Sequence, residues 1–276
     1  MTTKPYDVGD THRDRNTEIQ RLAAQARLGW EKEARTLSGF GLRDGVSMLE
    51  LGSGPGFITE QLLELLPHST VTCLEIDPSL IKQAERYLQG KASDRVCFVE
   101  ASIMETRLAD NSFDFAYARL IFQHLPDPIG AAKEVRRVLK PGGKLVIYDI
   151  DDDMFGLIEP SIPEWPSILE KYGQAQAARG GNRRVGRQLW QILKSAGFHS
   201  LDLEVIAIHS DAVGIEAFLP QIDPDRLLPL VKVGLLSEQE LENIRVSRAR
   251  FLASPEPYIL TLSLMVYGEK QSAPIT

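Results

Sequence analysis

Residues 50–56 read Glu-Leu-Gly-Ser-Gly-Pro-Gly, between an apolar run and an amphipathic one, so the segment is expected to turn a strand into a helix. Glycines let a backbone turn sharply there and lie against a ligand where a Cβ would clash. Pro55 is tolerable because a proline in a first helical turn gives up only an amide with no helical partner. About twenty residues on, Glu75 ends the next apolar run, which places a carboxylate at a strand's carboxyl end, suited to the two hydroxyls of a ribose. Alone, the glycine run is equally an ordinary tight turn and Glu75 equally a solvated acid. Their spacing together points to an adenosine site at the switch point of an open α/β sheet. The spacing also separates nucleotide classes. A pyrophosphate cradle of the GxGxxG type sets its third glycine three residues after the second, whereas Gly52, Gly54 and Gly56 are two apart.

The elements that must hold this pair alternate along the chain. Strand-like runs at 47–51, 71–76, 95–99, 113–118 and 144–150 alternate with helix-like runs at 57–66, 78–89 and 128–139. This order implies βαβ units and a mostly parallel sheet. Leu-Lys-Pro-Gly-Gly-Lys at 139–144 reads as the end of the last of these helices. Residues 17–37 suggest one or two helices packed on the domain. Residues 151–167, acidic and then proline-interrupted, read as a long irregular passage before helical signal resumes at 168. A helix at 185–196, a strand at 201–208, a proline-broken helical stretch and a last strand at 258–267 complete the pattern. The expected fold is therefore α/β and Rossmann-like, with a seven-stranded, mostly parallel sheet and an antiparallel last strand. The domain division expected is N-terminal lid helices at 1–40, a core at 41–210 and 255–270, and a helical insertion at 211–254.

The segments Glu-Leu-Gly-Ser-Gly-Pro-Gly and Leu-Glu-Ile-Asp-Pro-Ser-Leu-Ile-Lys-Gln-Ala, with 112–128 and 137–147 behind them, resemble the signature motifs of class I S-adenosylmethionine-dependent methyltransferases. The resemblance is to their small-molecule type and runs from about residue 48 to 150. It implies that Glu50, Gly52, Ser53, Gly54 and Gly56 surround the amino acid part of S-adenosylmethionine, that Glu75 holds the ribose and that Ile76 packs on adenine. An acid often found after the third strand is replaced by Ser102, so Ser102 and the Ile103 amide are the expected partners of the adenine edge. The position of Arg119 commonly lines the cofactor cavity in this family. Tyr6, Glu18, Arg21, Leu22 and Gln25 resemble an N-terminal helix that folds over the cofactor. Arg21 and Gln25 share a helix face and either could meet the methionine carboxylate; the competing reading pairs Arg21 with Glu18.

At the rim where the transferable methyl should point, His124, Asp149 and Asp151 are candidates for proton removal from an acceptor. A histidine in Gln-His-Leu-Pro-Asp-Pro more often ties its loop by hydrogen bonds, and Asp151 to Asp153 also read as a solvated acidic loop. Arg179, Arg183, Arg184 and Arg187 either pair with these acids or receive an acidic acceptor. Trp165, Tyr172, Trp190 and Phe218 are candidate walls, or simply core. Across 276 residues the formal charge is −7, which disfavours nucleic acid. No apolar run approaches the roughly 18 residues that span a bilayer. Cys73 and Cys97, both in apolar runs, read as small buried hydrophobes, with no zinc, other metal or disulfide framework. The expected protein is a cytoplasmic enzyme that methylates N, O or C of a small-molecule acceptor, yielding S-adenosylhomocysteine, with its oligomeric state open. The rivals are a non-catalytic cofactor-binding protein of the same fold and a nicotinamide-dependent oxidoreductase.

Overall fold

The structure, a computed structural model, describes residues 15–91 and 94–272. In chain order its elements are α1 (Arg15–Arg27), α2 (Trp30–Gly39), β1 (Ser47–Leu51), α3 (Phe57–Leu65), β2 (Thr70–Glu75), α4 (Pro78–Tyr87), β3 (Val96–Glu100) and β4 (Phe113–Arg119). Then come α5 (Pro128–Val138), β5 (Leu139–Asp149), β6 (Gly156–Glu159), α6 (Trp165–Ala177), α7 (Leu189–Ser195) and β7 (His199–His209). Short α8 (Ser210–Val213) and α9 (Leu228–Lys232), longer α10 (Glu238–Leu252) and β8 (Tyr258–Glu269) complete it.

Local sequence sets several boundaries. Asp77 and Asp127 cap α4 and α5 through bonds of 2.8 Å from the amides of Ser79 and Gly130, and a proline follows each at the first helical position. Ser237 and Glu240 form a reciprocal capping box at α10. In the strands, side chains alternate between faces. Met48, Phe115, Tyr117, Val146 and Tyr148 enter one buried cluster with residues of α2 and α3, while Leu49, Ala116, Ala118, Leu145 and Ile147 enter another with residues of α5 and α7. The sheet is thus covered on both faces, as parallel sheets require.

The order runs β3-β2-β1-β4-β5-β8, with β8 antiparallel to β5, and β7 and β6 also pair antiparallel with β8. Among the described residues the sheet has eight strands, one more than the sequence suggests. The extra strand, β6, lies within the passage read as irregular. Only Ile158 of its four residues is buried, so it carries no alternation to detect. Residues 139–144 also differ from expectation. The helix stops at Val138 and β5 starts at once, because Gly142 and Gly143 exchange backbone hydrogen bonds of 2.8 Å with Lys270 beyond β8. Cys73 is buried as expected, but Cys97, on edge strand β3, is exposed. Within residues 211–254, Leu227, Leu230, Leu236, Leu241 and Ile244 form a separate buried cluster with Ile168 of α6.

Candidate functional site

A cavity of about 400 Å³ lies beyond the carboxyl ends of β1, β2 and β4. This volume is in the range of small-molecule sites. The strand-to-helix turn forms its floor. Gly52 and Gly54 have φ of 67° and 55°, the left-handed region where a side chain is strained. A Cβ on Gly52 would fall 2.3 Å from Ile121 Cδ1, whereas one on Gly54 would meet nothing within 4 Å. Gly54 therefore leaves an open cradle of bare backbone. Ser53 Oγ, also in the lining, is buried without a hydrogen-bond partner. Gly56 is not in the lining; a Cβ there would press on Ala84 and Leu88, so this glycine serves the packing of α3 on α4.

Glu75 faces the cradle. Its carboxylate accepts hydrogen bonds from the amides of Gly54 at 2.9 Å, Ile76 at 2.8 Å and Asp77 at 3.0 Å. Burial pushes its pKa up, and these three amides oppose the rise. Two carboxylate oxygens offer about four lone-pair directions, so capacity remains for a ligand hydroxyl. Glu50 lies deeper, accepting from the Thr59 hydroxyl at 2.6 Å, and burial pushes its pKa up to about 7. Ile76, 43% exposed, lines the adjoining wall with Ser102 and Ile103. Ser102 Oγ accepts from the Met104 amide at 3.1 Å.

Arg119 lines the cavity, but its guanidinium points to α2. It forms a two-pronged ion pair with Glu33, both contacts at 2.8 Å, and donates to the Gln25 carbonyl at 2.9 Å. Tyr117 Oη donates to the same Glu33 at 2.9 Å, and the Tyr148 ring lies 5.2 Å from the guanidinium. This buried knot joins α1, α2, β4 and β5. Sequence reading missed Glu33, because a glutamate in Trp-Glu-Lys-Glu resembles any solvated helix face. Leu120, next in the chain, adopts φ of 59° in the cavity wall, a strained conformation for a branched side chain.

Arg21 and Gln25 of α1 both line the cavity. Arg21 pairs with Glu18 at 2.6 Å and donates to Gln221 Oε1 at 3.0 Å, so α1 is tied to the segment 211–254. Tyr6 lies outside the described residues.

The proton-removal candidates fare differently. His124 lines the cavity, but its Nδ1 lies 2.6 Å from Gln176 Nε2, whose amide donates, and burial with the charges of Arg183 and Arg179 holds its pKa down to about 3. So weak a base is a loop tie at neutral pH. Asp149 is fully buried outside the lining and accepts from the amides of Ile150 at 2.9 Å and Gln123 at 3.1 Å, which ties the end of β5 to the loop after β4. Burial pushes its pKa up to about 7. Asp151 reaches the lining but is 1% exposed and paired with Arg187 at 2.5 Å. Arg183 pairs with Asp152, and Arg184 with Asp153 and Glu170, so the acidic loop and the arginines neutralise one another. Trp165, Tyr172 and Phe218 line the cavity; Trp190 is exposed on α7.

Residues 49–147 match the model of a methyltransferase domain family. The chain is 28% identical over 156 residues to a malonyl-[acyl-carrier protein] O-methyltransferase of Paenibacillus sp., covering 56% of this chain and 55% of that protein. It is 34% identical over 110 residues to a sterol 24-C-methyltransferase of Aspergillus fumigatus, covering 40% and 29%. The chain thus spans about half the length, or less, of these curated relatives. Among solved structures, phosphoethanolamine N-methyltransferase 2 of Haemonchus contortus, with S-adenosyl-L-methionine, superposes with a TM-score of 0.61 at 19% identity, over 98% of this chain and 60% of that one. A SAM-dependent methyltransferase of Thermotoga maritima gives 0.58 at 16% identity, over 97% and 100%. Residues 49–147 thus match a methyltransferase domain, and the sheet that carries them shares the fold of these solved methyltransferase structures.

Proposed function

We propose that the protein transfers a methyl group from S-adenosylmethionine to a small-molecule acceptor. The observation that carries this reading is the open Gly54 backbone facing the Glu75 carboxylate, in a cavity that Trp165, Tyr172 and Phe218 also line. The residues fit the cofactor chemically. Glu75 has acceptor capacity left for a ribose hydroxyl, Ile76 offers an apolar plate for adenine, and Ser53 Oγ has a hydrogen bond still to make. Ser102, Ile103, Arg21 and Gln25 line the same cavity, which supports assigning them to the adenine edge and the methionine end.

The sulfonium of S-adenosylmethionine supplies an already activated methyl carbon. What remains for the chain is to orient a nucleophile and exclude water, and orientation alone is worth roughly 7–11 kcal/mol in favourable systems. Trp165, Tyr172 and Phe218, from α6 and the segment 211–254, supply apolar wall, and Arg21 bonded to Gln221 adds to it. With His124 neutral and held by Gln176, and Asp151 held by Arg187, neither of these described rim residues is a strong general base. That suits an acceptor whose nucleophile is a neutral amine or an already ionised oxygen.

The experiment is a thermal shift with S-adenosylhomocysteine and, separately, NAD, followed by assay against a metabolite panel. A ligand at one hundred times its Kd should add about 2.7 kcal/mol of stability. The expected result is a shift with S-adenosylhomocysteine alone and methyl transfer to at least one acceptor. A shift with NAD alone would sink the proposal, and cofactor binding with no transfer would favour a non-catalytic protein.

A further inference from the structure

Most of the cations in the cavity wall have a carboxylate. Arg21 pairs with Glu18, Arg119 with Glu33 and Arg183 with Asp152. Arg226, carried by the insertion just before α9, does not; no described carboxylate comes within ion-pair distance of it. Its guanidinium donates one bond, at 2.5 Å, to the Gln221 carbonyl, and lies 5.9 Å from the centre of the Tyr172 ring. Arg183 approaches the same ring at 5.2 Å, and Tyr172 Oη donates to the Arg226 carbonyl at 3.0 Å. The guanidinium is thus held from two sides while keeping donors unused. Burial, and the nearby charges of Arg21 and Arg183, lower its pKa, as expected for a cation short of counter-charge.

Beside it, Gln221 is fixed as a donor. Its Oε1 accepts from Arg21, which commits the other amide atom, Nε2, to donation, and that nitrogen is buried without a partner. An uncompensated cation next to an unsatisfied donor is costly in a folded protein. Both costs vanish if a ligand brings an anion with free oxygens, and a planar guanidinium matches a carboxylate or phosphate in a two-pronged fashion.

Resting on the methyl-transfer reading above, we propose that the part of the cavity lined by Arg226, Gln221 and Tyr172 is built for a methyl acceptor bearing an oxyanion, a carboxylate or a phosphate monoester, held by Arg226 with Gln221. The arginines that the sequence offers for this task, Arg183, Arg184 and Arg187, are engaged with Asp151 to Asp153. Arg226 takes it instead. The chemistry has a second source, the carboxylate of the cofactor itself, and the test separates the two.

The affinity of S-adenosylhomocysteine is first measured for the wild type, Arg226→Met and Arg226→Lys by calorimetry. Benzoate, phenyl phosphate and the neutral benzyl alcohol are then titrated into each protein saturated with S-adenosylhomocysteine, at constant ionic strength. The expected result is equal cofactor-product affinity in all three proteins. The loaded wild type should prefer at least one anion over the alcohol by about tenfold or more, a preference that Arg226→Met abolishes and Arg226→Lys partly keeps. Equal or absent binding of all three probes to the loaded wild type overturns the proposal, as does an unchanged preference in Arg226→Met. A tenfold loss of S-adenosylhomocysteine in Arg226→Met also overturns it, assigning the arginine to the cofactor's carboxylate. Failure of the wild type to bind S-adenosylhomocysteine removes the methyl-transfer reading itself, a result seen at the first step.

Discussion

Glu75 accepts three backbone hydrogen bonds while facing the cradle, so it fixes the loop as well as any ligand there. Glu75→Gln exchanges one acceptor oxygen for an amide donor that faces other donors. It should cost about 1–3 kcal/mol of stability, read by denaturant unfolding, and weaken S-adenosylhomocysteine at least about tenfold by calorimetry. His124 tests the opposite expectation, that a rim histidine is a base. Its pKa of about 3 lies below the ordinary 6.5. Between those values the unfolded chain binds a proton that the native one refuses, so this histidine's contribution to stability is present above pH 6.5 and is lost as pH falls toward 3. His124→Gln should therefore gain on the wild type progressively on acidification, as melting temperatures at stepped pH would reveal. Its turnover with a responsive acceptor should stay within about tenfold of the wild type, against the roughly 10²–10⁴ expected of a lost general base. Glu50 has the reverse sign. Raised to about 7 from 4.5, it stabilises the native state in acid, and this is lost as pH rises through 7.

At the scale of elements, the connection that matters most is between α2 and the end of β4. Glu33 is fully buried and Arg119 nearly so, and Tyr117 shares the carboxylate. Glu33→Gln would leave the guanidinium without its carboxylate. The expected cost is about 3–5 kcal/mol, seen as a lowered melting temperature. Because Arg119 also holds the Gln25 carbonyl, α1 should loosen too, raising the off-rate of S-adenosylhomocysteine in stopped-flow measurements. Elements with regular periodicity were legible beforehand. β1 falls at the expected residues, and α3, α4 and α5 start where expected. β6 was not legible, because its pairing with Ile259 and its neighbours in β8 is made across a hundred residues by backbone groups that carry no side-chain code.

At the scale of the whole molecule, the chain combines a covered sheet that presents a floor of loops with a roof from α1, α6 and the insertion. Floor and roof differ in how far the sequence prefigured them. The glycine turn, the acid at Glu75, the alternating strand faces and the capped helices follow from bonding and sterics within a few residues, so type and spacing were enough to determine them. Which charges survive in the cavity was decided only when distant segments met. Arg119 found Glu33, the acidic loop absorbed Arg183, Arg184 and Arg187, and Arg226 was left beside Tyr172. A charge's fate depends on its neighbours in space and on the water they exclude. Local sequence thus determined the fold and the floor of the site, while tertiary packing decided that His124 is bonded to Gln176, that Asp149 is buried outside the cavity lining and that Arg226 faces the cavity.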